Sequence, residues 1–392
     1  MPWKESGIVY ERMAFITRLR DGERMAELCR EYGISRKTGY KFKERFERLS
    51  VLGLEDQTRA PIRRRRIDES IARMVLDLRR EHPTWGPRKL VEVLGRRNPG
   101  LRMPGTSSVS SLIAREGLAK PRRHRRGVPV FPSHLTRPDS ANDVWCADYK
   151  GQFRLATSDY CYPLTVSDEA TRFLIGIDGF DRINGDEARG AFEEAFSRYG
   201  LPTVIRTDNG APFASRGLLG LSRLSVFWIK QGIRPERIAP GKPQQNSCHE
   251  RMHRTLKEET TRPSAKSLLQ QQERFDVFVQ TFNHERPHES LDMDTPAEHY
   301  RPSTRPYTPG RLDYPLHDDV IKVDSSGHAN VVRRRGTHFF LTSALAGEHV
   351  GIRQMEDHTW LLTFGNLTLG VYDASVHLFQ PADRATSAPS EV

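Results

Sequence analysis

Three acidic residues, each in its own short phrase, constrain this 392-residue chain more than any bulk property. Asp148 lies in Val144-Trp-Cys-Ala-Asp-Tyr-Lys-Gly151, Asp208 in Arg206-Thr-Asp-Asn-Gly-Ala-Pro-Phe213, and Glu250 in Pro243-Gln-Gln-Asn-Ser-Cys-His-Glu-Arg251. Asp148 falls where a strand interior is expected, and such a position disfavours Asp unless something requires it. Asp208 ends a short strand, Val204 to Thr207, at a point where Asn209-Gly210 turns the chain. Glu250 sits on a helix, with Arg254 and Lys257 on the same face at i+4 and i+7. Two strand aspartates and a helix glutamate can hold a pair of divalent cations for phosphodiester chemistry. Singly, each has an ordinary explanation: a solvated charge, a turn, a row of surface ion pairs. Their order and the basic chain around them favour the site.

The net charge of +11 is unevenly placed. Residues 1–138 hold 32 Lys and Arg against 16 Asp and Glu, whereas 139–392 hold 29 against 34. A basic front joined to a core with acidic motifs implies a nucleic-acid grip attached to a metal-dependent engine. The four cysteines form no CxxC pair and fall in separate regions, which argues against a structural zinc site or a disulfide framework. No apolar run approaches a membrane span, and the start lacks the apolar stretch of a secretory signal. An intracellular protein without a membrane partner is expected.

Along the chain, Phe15, Ile16 and Leu19 give one helix an apolar face, and Met25, Leu28, Cys29 and Tyr32 give a second. Gly33 then turns the chain, and Ser35 is placed to cap a helix over 36–45. That third helix presents Arg36, Lys37, Tyr40, Lys41 and Lys43 to a major groove, as in a helix-turn-helix. Arg63, Arg64, Arg65 and Arg66 form a basic linker to a second helical unit. Its helices are marked by Ile71, Met74, Val75 and Leu78, by Leu90, Val91 and Leu94, and by Ser107 to Glu116. For that last helix, packing and groove reading are equally good explanations. Residues 119–138 contain Arg122, Arg123, Arg125 and Arg126, four prolines and no acid, so they suit an extended arm along a phosphate backbone.

From 139 onward the pattern changes to strands over 145–153, 160–166 and 172–178, a helix over 186–198, and the strand ending at Asp208. Helices over 218–231 and 245–260 follow. Three adjacent strands followed by alternating helix and strand is the element order of an RNase H-like α/β fold. The tail has short strand patterns at 320–323, 331–332, 337–341, 350–352, 359–364 and 367–372, punctuated by Gly327, Gly347 and Gly365-Asn366. Arg333, Arg334 and Arg335 there are either DNA contacts or a solvated hairpin edge. The fold class is therefore multidomain: helix-turn-helix units over 1–58 and 67–118, a basic linker over 119–138, an RNase H-like α/β catalytic core over 139–303, and a small all-β SH3-like barrel over 315–376. For His249, His253, His284 and His288 an accessory or structural role is preferred to a hydrolytic zinc site, with the His249/His253 pair read as lacking the Glu of a His-Glu-x-x-His motif.

The phrases around Asp148, Asp208 and Glu250, together with Thr281-Phe-Asn-His-Glu-Arg-Pro-His288 and Thr295-Pro-Ala-Glu298, resemble the integrase-core DDE transposases of bacterial insertion sequences, which are akin to retroviral integrases. The resemblance is strong over 139–300 and moderate over the front. It implies that Asp148, Asp208 and Glu250 bind metal and carry catalysis, with two Mg²⁺ ions per site and Mn²⁺ able to substitute. It also implies cleavage at element ends and transfer of 3′-hydroxyls into target DNA within a homo-oligomeric synaptic complex. Lys150, Asn246, Arg254 and Lys257 would then contact double-stranded DNA. Two departures stand out. The 41 residues between Asp208 and Glu250 exceed the common spacing, and Ser247 follows Asn246 where glycine is frequent. Two rival readings stay open: a catalytically inactive copy acting as a repressor or architectural protein, and a metal-dependent nuclease that cuts without joining.

Overall fold

The computed structural model describes residues 7–56, 67–119, 135–239, 245, 247–310, 312–331 and 338–382. The chain divides into two compact units, Met1–Arg66 and Ile67–Val392. In the first, α1 (Ile8–Arg20), α2 (Met25–Glu31) and α3 (Arg36–Leu49) bury Phe15, Ile16, Leu28, Cys29 and Phe42. Ser35 caps α3 by accepting from the Thr38 amide at 3.2 Å. Gly39 in α3 is required by packing, since a Cβ there would lie 2.7 Å from the sulfurs of Cys29 and Met25.

The second unit begins with α4 (Glu69–Glu81), α5 (Pro87–Arg97) and α6 (Thr106–Arg115), closed around the fully buried Trp85. Arg79, itself buried, donates to the carbonyls of Trp85 and Leu118 and so ties both ends of this bundle together. Basic residues of the bundle meet an acidic edge further along the chain. Arg96 pairs with Asp294 at 2.7 Å and Glu298 at 3.1 Å, and Arg97 with Glu285 at 3.3 Å.

The central sheet is built from β1 (Val144–Tyr149), β2 (Phe153–Arg154), β3 (Tyr160–Asp168), β4 (Leu174–Phe180), β5 (Val204–Thr207) and β6 (Arg234–Arg237). β4 pairs antiparallel with β3, β3 antiparallel with β1, β1 parallel with β5, and β5 parallel with β6, while β2 pairs the start of β3. One face packs on α7 (Gly185–Tyr199) and α8 (Arg223–Lys230) through Trp145, Ala147, Phe192, Phe196 and Trp228. The other is covered by α9 (Ser247–Thr260) and α10 (Leu268–His284) through Leu174, Ile177, Met252, Leu256 and Phe275. Period-2 alternation in β1 thus sends Trp145 and Ala147 to one face, and Cys146 and Asp148 to the other. This is the RNase H-like core expected from the element order.

Some details differ from expectation. The helix expected over 218–231 starts only at Arg223, because Ser222 and Ser225 form a capping box there. Leu218–Gly220 ahead of it is a single 3₁₀ turn with Leu219 and Gly220 at positive φ. The sequence reading did not assign β6 or α10, nor the short helix α11 (Pro296–His299).

The tail is all-β. β7 (Asp319–Lys322), β10 (His349–Glu356), β11 (Thr359–Phe364), β12 (Leu367–Asp373) and β13 (Leu378–Pro381) form one antiparallel sheet in the order β13-β12-β11-β10-β7. A separate hairpin joins β8 (His328–Asn330) to β9 (His338–Phe340). Leu221, Val226 and Ile229, from α8 and the residue before its cap, enter the same apolar cluster as Val350, Leu362 and Tyr372. Lys230 adds an ion pair to Glu348 at 2.9 Å. The tail therefore shares its core with the α8 side of the central-sheet region. Arg333, Arg334 and Arg335 lie outside the described residues.

Candidate active site

Parallel pairing of β1 with β5 matches Cys146 to Arg206, so the chain leaves β5 at Asp208 beside the strand that carries Asp148. Asp208 Oδ1 accepts from the Gly210 amide at 3.0 Å, and Asn209 donates to the Ile238 carbonyl at 2.8 Å. The Asp-Asn-Gly phrase is thus a tight turn as well as a candidate site. Glu250 is exposed, near the start of α9. Burial raises the Asp148 carboxyl to about 7, with further upward pushes from the negative charges of Asp208 and Glu250. Lys150 opposes that rise. The three carboxylates are therefore close enough to repel, and a divalent cation is what relieves such repulsion.

Lys150 and Lys257 belong to the same neighbourhood. Burial lowers the Lys150 amine, Lys257 lowers it further, and Asp148 raises it. Arg254 is placed differently: it lines a cavity shared with Arg286, whose guanidinium is depressed by burial and further by the Arg254 charge. On the first unit, Arg36, Lys37, Tyr40 and Lys41 are all exposed along α3, with Tyr40 at 57%. Arg63, Arg64, Arg65, Arg66, Arg122, Arg123, Arg125, Arg126 and Asn246 lie outside the described residues.

Beneath the acids lies a knot of side chains that the sequence reading did not assemble. Register pairs Asp148 with Thr165 on β3. The Thr165 hydroxyl donates to the Asp148 carbonyl at 2.9 Å and lies 2.6 Å from Nε2 of both His249 and His253. A hydroxyl has one proton, and a carbonyl can only accept. Both imidazoles must therefore carry hydrogen on Nε2 and donate to Thr165. His249 Nδ1 then accepts from Ser167 Oγ at 2.9 Å. Burial drives the histidines down to about 3 and about 2, so both are neutral, as these bonds require.

Residues 249–253 spell His-Glu-Arg-Met-His, so Glu250 supplies the glutamate of a zinc-hydrolase helix, and the expectation that this pair lacks it is incorrect. One ligand atom each from Asp148, His249 and His253 lie within 4.8 Å of one another. The proton count argues against zinc there. The point where the two Nε2 atoms converge is occupied by the Thr165 hydroxyl, and Ser167 uses His249 Nδ1. Only His253 Nδ1, 3.8 Å from Asp148 Oδ2, keeps a free lone pair. The oxygen-only set of Asp148, Asp208 and Glu250 suits Mg²⁺ better.

A buried ion network braces the other side of the site. Arg206, 3% exposed, pairs with Glu169 and with Glu236, the latter at 2.8 Å. Glu236 also accepts from the Thr136 amide at 2.9 Å. β5, β6 and the segment entering the core are thereby fixed together, upstream of Asp208.

Comparison with known proteins now adds to this geometry. Sequence families described as Integrase core domain match residues 138–243 and 231–296, and families described as Homeodomain-like domain match 9–54 and 38–113. A 31.7 kDa uncharacterized protein of insertion element IS407 from Burkholderia multivorans is 27% identical over 239 residues, covering 59% of this chain and 80% of that protein. A 39.2 kDa uncharacterized protein of insertion element IS476 from Xanthomonas euvesicatoria is 27% identical over 254 residues, covering 64% and 70%. Among solved structures, the magnesium-bound HTLV-2 integrase catalytic core aligns with a TM-score of 0.34 and 18% identity, over 42% of this chain and 100% of that one. Among the described residues no helix is long and apolar enough to cross a membrane.

Proposed function

We propose that this integrase-core transposase of the insertion-sequence type, a polynucleotidyl-transferase-class enzyme, cuts at the ends of its element and joins their 3′-hydroxyls to target DNA through Asp148, Asp208 and Glu250. What supports the triad is placement and charge together: Asp148 and Asp208 lie on parallel neighbouring strands, and Asp208 and Glu250 both push the Asp148 carboxyl upward. Their oxygen-only donor set fits Mg²⁺, with Mn²⁺ able to substitute. Bound there, two divalent ions would supply Lewis-acid stabilisation to the attacking and leaving oxygens.

The chain's own residues do the rest. Asp148 and Asp208 are set by neighbouring parallel strands, and Glu250 by α9. Thr165, His249 and His253 hold α9 against β3 without adding charge. Lys150 and Lys257 place positive charge at the rim, where a DNA phosphate is oriented for in-line attack. Arg36, Lys37, Tyr40 and Lys41 on α3 read the element ends, and a homo-oligomer brings two ends together. The parts are divided as 1–58, 67–118, 119–138, 139–303 and 315–376, the last an SH3-like barrel. The protein works in the cytoplasm on nucleoid DNA.

The test is joining of labelled DNA from the gene's own flanks into a supercoiled plasmid with Mg²⁺ or Mn²⁺, comparing wild type with Asp208→Asn. Joining by wild type alone supports the triad. Equal joining by Asp208→Asn refutes it, and binding without cutting or joining favours the repressor reading.

A further inference from the structure

A cavity of about 310 Å³ lies beside the acid site, between α5 and the face of the sheet covered by α9. Its floor is Cys146, Ser167 and Leu174. Its walls carry five cations, Lys89, Arg172, Arg251, Arg254 and Arg286, from four separate segments of chain. Arg251 and Arg254 are exposed and stand at the mouth, whereas Lys89, Arg172 and Arg286 are half-buried.

The acids nearby are already engaged. Asp168 accepts from the Asn142 amide at 2.7 Å and from Thr171 at 2.7 and 2.8 Å. Glu169 is paired with Arg206, and Glu289 lies 3.7 Å from Arg88. Arg286 has Glu259 at 3.0 Å. Among the described residues, Lys89, Arg172, Arg251 and Arg254 make no ion pair. Arg172 Nη1 is a buried donor without a hydrogen-bond partner. A buried donor left unmatched costs about 1–3 kcal/mol, and more when charged, so it marks a place where a partner is missing. Burial, with Arg286 next, depresses the Lys89 amine to about 7, and Glu289 and Glu259 only partly oppose the fall.

We propose that this cavity is a phosphate-binding site that takes a backbone phosphodiester of the DNA held by the enzyme. Guanidinium forks at its walls match phosphate oxygens, and the cavity is large enough to admit a phosphate with its sugar. The exposed Arg251 and Arg254 lead a strand from the rim, where Lys257 stands, to the buried cations. Lys89 belongs to the 67–118 bundle and Arg251 to α9, so the phosphate bridges the bundle and the helix that carries Glu250. The proposal rests on the transposase reading for the source of its phosphate, but not for the pocket.

The test is equilibrium binding of labelled duplexes, one from the gene's flanks and one of unrelated sequence, over a series of KCl concentrations. Wild type is compared with Lys89→Met/Arg172→Gln and with the single mouth variant Arg251→Gln. The double variant should bind both duplexes roughly eight-fold more weakly at 0.1 M salt, with a log–log salt slope shallower by about 0.9 for each phosphate lost. Its melting temperature should equal or exceed that of wild type, because removing crowded cations relieves repulsion. Unchanged affinity and slope in both variants overturn the proposal. If sodium pyrophosphate stabilises wild type but not the double variant while the salt slope stays fixed, the cavity takes a free anion and the DNA assignment is overturned. Plasmid joining separates the two readings: a wild type that joins DNA with no slope change in the variants refutes only the pocket, and a slope change without joining refutes only the transposase.

Discussion

Replacing Thr165 by Val keeps the shape of a β-branched strand residue and deletes one hydroxyl. Thr165 is fully buried, and His249 and His253 are 2% and 7% exposed, so water has no ready access to the groups left behind. Three bonds vanish together: one donated to the Asp148 carbonyl and two accepted from imidazole Nε2–H groups. Each orphaned buried group costs about 1–3 kcal/mol. His249 can recover its share by moving its proton to Nδ1 and donating to Ser167, which leaves two orphaned groups and about 2–6 kcal/mol net. Because the chain has two compact units, one melting curve does not isolate the effect, and hydrogen exchange along α9 reads it directly. Exchange in α9 should speed by at least roughly 30-fold, following that free energy up to the limit set by global unfolding. Divalent-metal affinity should weaken, because Glu250 rides on the loosened helix. Thr165→Ser retains all three bonds, loses only a methyl, and should restore both properties. Wild-type exchange in the Val variant, or a Ser variant as damaged as Val, would refute the proton count on which the knot rests.

Asp148 gives a second prediction through pH. Its folded value is raised to about 7 from the ordinary 3.8, so the folded state holds a proton that the unfolded state releases. Metal-free stability from this group is full below the unfolded value and is lost as pH rises toward 7; divalent ions should reverse that loss, and chemical unfolding at pH 5 and 8 with and without Mg²⁺ checks both signs. Metal affinity should fall as pH drops through 7, and Asp208→Asn should move that midpoint downward in a calorimetric titration. A midpoint unmoved by the substitution counts against convergence of the acids. On the first unit, Arg36→Ala with Lys37→Ala should weaken binding to the element ends and reduce the salt slope by up to about 0.9 per contact; an unchanged slope moves the grip elsewhere.

What the sequence made legible followed chemistry that is local along the chain. Alternation around Asp148 marked a strand, Asn209-Gly210 marked its neighbour's turn, and Ser35 marked the start of α3; each signal spans only a few residues. The Thr165 knot was not legible because it depends on antiparallel register: Thr165 is 17 residues from Asp148, and nothing local says they face each other. The His-Glu-x-x-His phrase stands in the sequence although its Glu250 was not counted there, and choosing between ligand and packing roles needed the hydroxyl between the two rings. The cavity cations were hidden for a similar reason, since Lys89 and Arg172 look like ordinary surface charges until α5 is docked. The late start of α8 was decided by Ser222 and Ser225, while the apolar run before it suited an earlier start.

The three acids are not held with equal firmness. Asp148 and Asp208 stand on parallel neighbours whose main-chain bonds fix their spacing, and Arg206 with Glu169 and Glu236 locks that pair of strands from below. Glu250 has no such bond to the sheet, so its place depends on how α9 lies. Toward its start α9 is held by His249 and His253 on Thr165, in the middle by Met252 and Leu256 in the apolar cluster, and toward its end by Glu259. Glu259 accepts from Thr84 of the helical bundle and from Arg286. A helix of 14 residues is about 21 Å long and moves nearly as a rigid rod. Any shift of the bundle that pulls on Glu259 is therefore felt at Glu250. The neutral histidines suit this design better than a salt bridge would, because they fix the helix beside the acids without supplying a charge that would compete with the metal.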